Sequence, residues 1–331
     1  MKLISLFAGA GGLDLGFKNA GFNITWANEY DREIWETYAR NHPGTYLDRR
    51  SITDIDPKEI PDCIGIIGGP PCQSWSEAGA LRGIKDERGQ LFFDFIRILK
   101  EKKPLFFLAE NVSGILFSRH NEAFEYILNL FEETGYIVSK HLLNARDYNV
   151  PQDRKRVIIV GYHKNHFNKV FSPPEPVKPR PTLSDAIGDL IGKEIPGTGK
   201  NHSNGADCLV PNHEYLTGGF SSIYMSRNRV RGWDEQSYTI QAGGRHAPLH
   251  PQAPKMMPAG KDVKKFAPGK ESLYRRLTVR ECARIQTFPD EFIFYYHRIS
   301  SGYKMVGNAV PVKLAEALAN KIKSDLIRSH G

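Results

Sequence analysis

The sequence predicts an α/β fold: a doubly wound, mostly parallel sheet joined to a smaller irregular region. Three observations carry that expectation. Short apolar runs alternate with amphipathic helical segments through the first half of the chain. A glycine turn, Gly9-Ala10-Gly11-Gly12, sits between the first strand pattern and the first helix pattern. After Val170 the alternation gives way to Pro-, Gly-, Asn- and His-rich sequence.

The elements follow in order. Lys2 to Phe7 reads as a strand and Leu13 to Ala20 as the helix after the glycines. The next strand, Asn23 to Ala27, ends in Asn28-Glu29-Tyr30-Asp31. That puts a carboxylate about 20 residues past the glycine turn, where an acid can bind ribose hydroxyls. With no further glycine until Gly16, the turn is not a pyrophosphate fingerprint, which favours an adenosine cofactor without pyrophosphate over NAD. Asp31 to Asn41 reads as a helix, and Ile64 to Ile67 as a buried strand leading into Gly68 to Ser76, GGPPCQSWS. There Gly68 and Gly69 allow a ligand close to the backbone, and Pro70 and Pro71 stiffen the loop that presents Cys72. Leu91 to Lys100 is helical, and the strand Leu105 to Leu108 ends at Glu110-Asn111, bringing a second carboxylate to the same rim. Glu122 to Glu133 is a helix that Gly135 ends. Gln152, Arg154 and Arg156 share one face by period-2 alternation as the chain enters Val157 to Val160. Such a face suits an anion or a polar ring edge, and equally an exposed edge strand.

Five prolines between Ser172 and Pro181 place a domain boundary near Phe171. A helical pattern returns at Arg275 to Thr287 with Thr278 as its cap; Gly302 to Pro311 reads as a tight loop before a closing helix, Val312 to Arg328. If that helix returns to the first sheet, residues 1–171 and 300–331 form one discontinuous domain and 172–299 an insert.

The net charge is +8, and 16 Lys and Arg against 10 Asp and Glu lie between His163 and Arg275, which points to a polyanionic partner. Within that stretch, Ile223 to Arg231 (IYMSRNRVR) and Gln241 to Arg245 interleave arginines with Asn, Ser, aromatics and glycines, suiting base edges that arginine can hold through two hydrogen bonds. The four cysteines, Cys63, Cys72, Cys208 and Cys282, are too scattered for a disulfide framework and form no metal-binding pair. No apolar run reaches membrane-span length and Met1 to Phe7 has no signal-peptide layout, so a cytoplasmic, nucleoid-associated protein without bound metal is expected.

Six blocks in this order resemble the DNA cytosine-5 methyltransferases: Phe7 to Gly11, Glu29, Pro70 to Cys72, Glu110 to Val112, Gln152 to Arg156 and Gly307 to Val310. The variable region resembles that of type II restriction-modification enzymes that methylate GGCC, chiefly in Met225 to Arg231 and Thr239 to Pro254. The resemblance implies a sheet of the S-adenosylmethionine-dependent methyltransferase type, with the insert as target-recognition domain. It implies that Cys72 adds to carbon 6 of a flipped cytosine, that Glu110 holds or protonates ring nitrogen 3, and that Arg156, with Arg154 behind it, binds the carbonyl oxygen or orients the thiol. S-adenosylmethionine would be lined by Phe7, Gly9, Gly11 and Pro70, bound at its ribose by Glu29, stacked on by Tyr30 and closed in by Asn308 and Val310. The family's usual acid near the adenine amino group is missing from Arg49-Arg50-Ser51-Ile52, leaving Ser51, Asp48 or Asp54 as its partner. Arg227, Arg229 and Arg245 would read guanines, with Asn228 and Arg231 in the same DNA-binding cluster and Ile223 or Tyr224 as the wedge. The implied partner is double-stranded DNA, bound by a monomer, with a cognate restriction endonuclease acting on the same site. A dehydrogenase explains neither the PPC block nor the basic insert, and a repressor needs none of Cys72, Glu110 or the arginine face. An RNA methyltransferase shares the pocket motifs but not the need for so long an insert.

Overall fold

The computed structural model describes residues 1–71 and 87–328, apart from the side chains of residues 87–90, 119 and 206; Cys72 lies outside the described residues. The chain divides into two units, the first made of Met1–Asn144, Lys155–Pro176 and Leu314–Gly331.

In the first unit, β1 (Lys2–Leu6), β2 (Asn23–Asn28), β3 (Tyr46–Asp48), β4 (Gly65–Gly68), β5 (Phe106–Val112), β6 (Tyr136–Asn144) and β7 (Lys155–His163) form a seven-stranded sheet of order β3-β2-β1-β4-β5-β7-β6. The strands from β3 to β5 run parallel, and β7 is antiparallel to both its neighbours. Helices α1 (Gly12–Asn19), α2 (Trp35–Asn41), α3 (Glu87–Lys102) and α4 (Asn121–Glu133) connect the strands. Parallel strands must bury both faces under such crossovers, which is why β1 and β4 read as continuous apolar runs. One core cluster joins Ile4, Leu6 and Ile66 of the sheet to Phe92, Phe95 and Leu99 of α3 and Phe124, Ile127 and Phe131 of α4.

The doubly wound, mostly parallel sheet is the one expected, but several elements differ from the sequence reading, which contained neither β3 nor β6. The run entering Val157 is not an exposed edge: β7 lies between β5 and β6, with Val157 to Tyr162 fully buried or nearly so. The edge strand is β6, whose mixture of exposed and half-buried residues leaves no clean alternation to detect. Gly302 to Asn308 is helical, within α7 (Ile299–Asn308), and not loop. Its glycines serve close packing: a Cβ at Gly302 would lie 2.6 Å from the Tyr296 ring, and one at Gly307 2.3 Å from the Gln241 carbonyl carbon.

The second unit comprises Ala145–Arg154 and Val177–Lys313. It therefore begins after Pro176, reaches back to take in residues 145–154, and keeps α7, whereas the sequence division fell at 171 and 299. Its regular structure is short: α5 (Leu183–Ile187), β8 (Ile195–Pro196) paired with β9 (Glu214–Tyr215), β10 (Met257–Gly260) paired with β11 (Val263–Lys265), and α6 (Val279–Ile285). Buried ion pairing replaces long ladders. Arg275 donates Nη1 and Nη2 to the two oxygens of Glu281 at 2.8 and 2.7 Å, and Nε to Glu194 at 3.1 Å. Glu281 also completes a capping box with Thr278, whose hydroxyl lies 2.9 Å from His213 Nδ1. The final helix, α8 (Val312–Arg328), belongs to the first unit from Leu314 onward; there Leu314, Leu318 and Ile322 are buried and Asp325 accepts from Tyr162 and Lys169 of the same unit.

Breaking a buried ion pair leaves one charge uncompensated, at a cost of about 3 to 5 kcal/mol. Because Arg275 keeps Glu194, Glu281→Gln should destabilise the protein toward the lower end, about 3 kcal/mol, seen as a lowered urea midpoint. An unchanged midpoint would contradict the role given to this pair.

Candidate active site

The strand order reverses between β1 and β4, and the loops after these two strands carry the glycine turn and the GGPP segment. Open α/β sheets bind ligands at such a switch point. The backbone leaves β1 through positive φ at Phe7 (56°) and Gly9 (57°). The Phe7 value is uncommon for a residue with a side chain and marks a strained turn. Glu29, just past β2, holds that turn through its Oε2, which accepts from Gly9 N–H at 2.8 Å, while its Oε1 accepts from Asp31 N–H of its own loop at 2.7 Å. A Cβ at Gly9 would meet nothing within 4 Å, so there is space over the turn for a ligand beside this carboxylate. Tyr30 is 70% exposed, its ring open to a stacking partner. Ser51 pairs its hydroxyl with that of Thr53 at 2.8 Å, and the Thr53 hydroxyl donates to Asp54. Asp48 is buried and bound by Arg50 through both oxygens, at 3.1 and 2.7 Å, which commits it to that partner.

Beneath the turn lies a cluster that no sequence pattern announced. The buried Asp14 carboxylate accepts from Ser5 Oγ at 2.6 Å and Tyr38 Oη at 2.5 Å. Tyr38 stacks on His42 at 4.5 Å, and the His42 ring fills the place that a Cβ at Gly11 would need. Helix α1 thus starts at a left-handed glycine, φ 86°, backed by an imidazole.

At the next rim, Glu110 near the end of β5 faces Arg156 of β7, Oε1 to Nε 2.9 Å, with both side chains only 10–11% exposed. Register explains the meeting: Val112 pairs with Arg156 and Glu110 with Ile158 across the antiparallel ladder. Asn111 donates to the Pro70 carbonyl at 2.9 Å, which ties the GGPP loop to this strand end. A Cβ at Gly69 would come within 3.3 Å of Glu110 Oε2, so the glycine leaves that oxygen room. Burial raises the thiols of the other cysteines, Cys63 to about 12, Cys208 to about 11 and Cys282 well above its ordinary value. None of these three is a thiolate near neutrality.

Arg154 and Gln152 do not share a ligand face with Arg156. Within the second unit, Arg154 is buried and donates to the carbonyls of Ile240, Gly307 and Ala309 at 2.8, 2.8 and 3.0 Å. Gln152 bonds Gln286 and the Ile240 N–H. Alternation was the wrong guide here, because β7 begins only at Lys155. Arg154 instead fixes the backbone on either side of Asn308, which is exposed, and just ahead of Val310, which is buried.

The arginine-rich stretch also divides. Arg227 and Arg245 are exposed, and Ile223 is 69% exposed. Arg229 lies over the Tyr224 ring at 4.6 Å and donates to the carbonyls of Tyr224 and Ile223. Asn228 bonds Val230 and the Met256 N–H, and Arg231 pairs with Glu235 and Asp153. Tyr224 is fully buried with its hydroxyl on the Ala247 carbonyl, so it is a core residue and not a wedge.

A family model described as C-5 cytosine-specific DNA methylase matches residues 1–324. The type II methyltransferase M.FnuDI of Fusobacterium nucleatum is 57% identical over 328 residues, covering 98% of this chain and 95% of that one. M.MthTI of Methanothermobacter thermautotrophicus, also a type II methyltransferase, is 58% identical over 326 residues and 98% of each chain. Among solved structures, the Entamoeba histolytica methyltransferase EhMeth superposes with a TM-score of 0.70 at 17% identity over 98% of both chains, a likeness of fold.

The Asp14 cluster makes stability pH-dependent. Burial, opposed by the bonds from Ser5 and Tyr38, raises the Asp14 carboxyl from 3.8 to about 6. The folded state then holds the proton more tightly than the unfolded one, so this contribution is full at low pH and is lost as pH rises through about 6. His42 has the opposite sign: burial, then Lys18, lowers its ring from 6.5 to about 4, and stability is lost as pH falls through that window. In Asp14→Asn only the imidazole effect remains. The stability of the wild type relative to this variant should fall by about 1.4 kcal/mol per pH unit between the two carboxyl values, measured by urea unfolding at successive pH values. A pH-independent difference would contradict it.

Proposed function

Because the chain belongs to the C-5 cytosine-specific DNA methylase family, we propose that it methylates a cytosine flipped out of duplex DNA, within GGCC sites, through covalent addition of Cys72. The observation that carries this reading is the Glu110–Arg156 pair at the strand end to which Asn111 ties the loop approaching Cys72.

Carbon 5 of cytosine is a poor nucleophile. Addition of the Cys72 thiolate to carbon 6 forms a sulfur–carbon bond and moves the ring's electron pair to carbon 5, which can then attack a methyl donor. Glu110 holds ring nitrogen 3 and its proton as the thiolate adds. Arg156 fixes Glu110 Oε1, leaving Oε2 on the side that Gly69 keeps open, and is itself the group to bind the carbonyl oxygen or orient the thiol. After transfer, loss of the carbon 5 proton expels the thiol and restores the ring. S-adenosylmethionine supplies a methyl group made electrophilic by its sulfonium. The open space over Gly9, the Glu29 carboxylate and the exposed Tyr30 ring fit its ribose and adenine, with Phe7, Gly11, Ser51 and Pro70 as further lining. Asn308 and Val310 are proposed cofactor residues, with Arg154 as the support of their backbone.

A base stacked in a duplex cannot offer its ring face to a thiol, so flipping costs roughly a few kcal/mol of unstacking. Ile223 is the proposed wedge, and Arg227 and Arg245 the readers of guanine. Arg229, spent on the carbonyls of residues 223 and 224, supports the reading segment, with Asn228 and Arg231 alongside. By analogy with the type II relatives, methylation would protect the site from a paired endonuclease; that the enzyme acts as a monomer on DNA is part of the same proposal. Among the described residues no helix is long and apolar enough to cross a membrane.

Labelled methyl should pass from S-adenosylmethionine to GGCC-containing duplex, and Cys72→Ala should abolish transfer; labelling only of other sites would refute the target, and labelling of no nucleic acid the reaction. A duplex with 5-fluorocytosine at the target should become covalently joined to position 72, because fluorine cannot leave as the proton does. Arg227→Ala should cost about 1 to 3 kcal/mol at one base pair, read as a loss of discrimination there in a panel of single-substituted duplexes.

A further inference from the structure

The β10–β11 hairpin takes no part in the chemistry above. Its strands are four and three residues long, and Met257 and Val263 are 41% and 48% exposed. A hairpin this small is not stable alone in water, so other packing must hold it. That packing starts at Phe266, directly after β11. Its ring stacks on Tyr274 at 4.2 Å and meets Phe220 edge-on at 5.3 Å, and Phe220 lies 5.0 Å from Tyr224. Tyr224 opens the short turn Tyr224–Ser226, flanked by Ile223 and Arg227. The hairpin and the exposed Ile223 and Arg227 are therefore mounted on one aromatic block.

The two halves of this block use different cations. From Ile223 to Arg245 every basic residue is arginine, and from His246 to Tyr274 every Lys or Arg is lysine. The five lysines there, Lys255, Lys261, Lys264, Lys265 and Lys270, stand against Asp262 and Glu271. Lys255 lies 3.5 Å from Glu235. No carboxylate among the described residues pairs with Lys261, Lys264 or Lys265, which sit on the hairpin's tip and second strand. Arginine suits bidentate reading of a base edge, whereas lysine is a flexible point charge suited to phosphate.

We propose that the β10–β11 hairpin is a phosphate-gripping arm for duplex DNA, with Lys261, Lys264 and Lys265 neutralising backbone charge next to the base pairs faced by Ile223 and Arg227. This rests on the DNA-methylation reading and adds to it a contact that carries affinity without sequence preference. Lysines on short exposed strands can instead serve to block edge-to-edge pairing between copies, and the two roles predict different results.

The full chain is titrated onto a GGCC duplex and a scrambled duplex by fluorescence anisotropy, from low to moderate salt. Each lost phosphate contact flattens the log–log salt dependence by about 0.9. The triple variant Lys261→Gln, Lys264→Gln, Lys265→Gln should flatten it by about 2.7, weaken both duplexes by the same factor, and keep the wild-type unfolding midpoint. The matching triple Lys→Arg variant should keep the wild-type slope. An unchanged slope, with or without self-association on sedimentation, overturns the proposal, as does a loss confined to the GGCC duplex. Methyl transfer by the unaltered protein separates the two readings: label on DNA with an unchanged slope removes only the hairpin's role, and no label on any duplex removes the methylation reading.

Discussion

The approach of β4 to β1 at the reversal of strand order is the constraint on which the first unit depends. A Cβ at Gly68 would sit 2.4 Å from the Leu6 carbonyl oxygen, so the strands can lie in this register only with glycine there. Their carboxyl ends then release two loops side by side. One is held by Glu29 through the Gly9 amide, the other by Asn111 through the Pro70 carbonyl. Acceptors and donors from neighbouring strands thus fix the irregular backbone that a ligand would touch, which is what pre-organisation requires.

The antiparallel strand β7 adds what the parallel half lacks. Running opposite to β5, it brings a cation from the beginning of its own strand to the end of another, so Arg156 meets Glu110 in a nearly buried pair. A parallel neighbour would have delivered the end of its strand to that rim. Buried pairs of this kind are costly unless well hydrogen-bonded, so this one is weak evidence of a gain in stability.

The second unit solves a different problem. With little regular structure, it leaves many backbone carbonyls without ladder partners, and buried arginines take them: Arg154 and Arg280 each donate to carbonyls from separate segments, and Arg276 to three carbonyls of residues 216–219. Arginine can do this because its planar fork presents several donors at once and stays charged when buried. Arg276 also lies 4.2 Å over Phe220, so the same cation closes the aromatic block beneath the reading segment. Positive charge in this part of the chain therefore has two uses, and only the exposed share is free to meet a polyanion.

Local signals in the sequence were enough for the parallel strands, the helices after them, the Thr278 cap and the carboxylates Glu29 and Glu110, because each is tied to a period or a fixed distance along the chain. Other features are set by partners distant in sequence. Arg154 answers carbonyls at 240, 307 and 309, Gly307 answers the backbone at 241, and Asp14 answers Tyr38. The same holds for Tyr224, whose place in the core depends on Phe220 and Ala247, and for α7, whose glycines read as loop until their close contacts are seen. Composition and spacing by themselves determined the fold class and the order of the blocks, and the chemistry is what the resemblance of those blocks to the DNA cytosine-5 methyltransferases implies. Only the tertiary structure decided which arginines are spent on backbone and which face outward, because a guanidinium's partners are settled by packing and not by its neighbours in the chain.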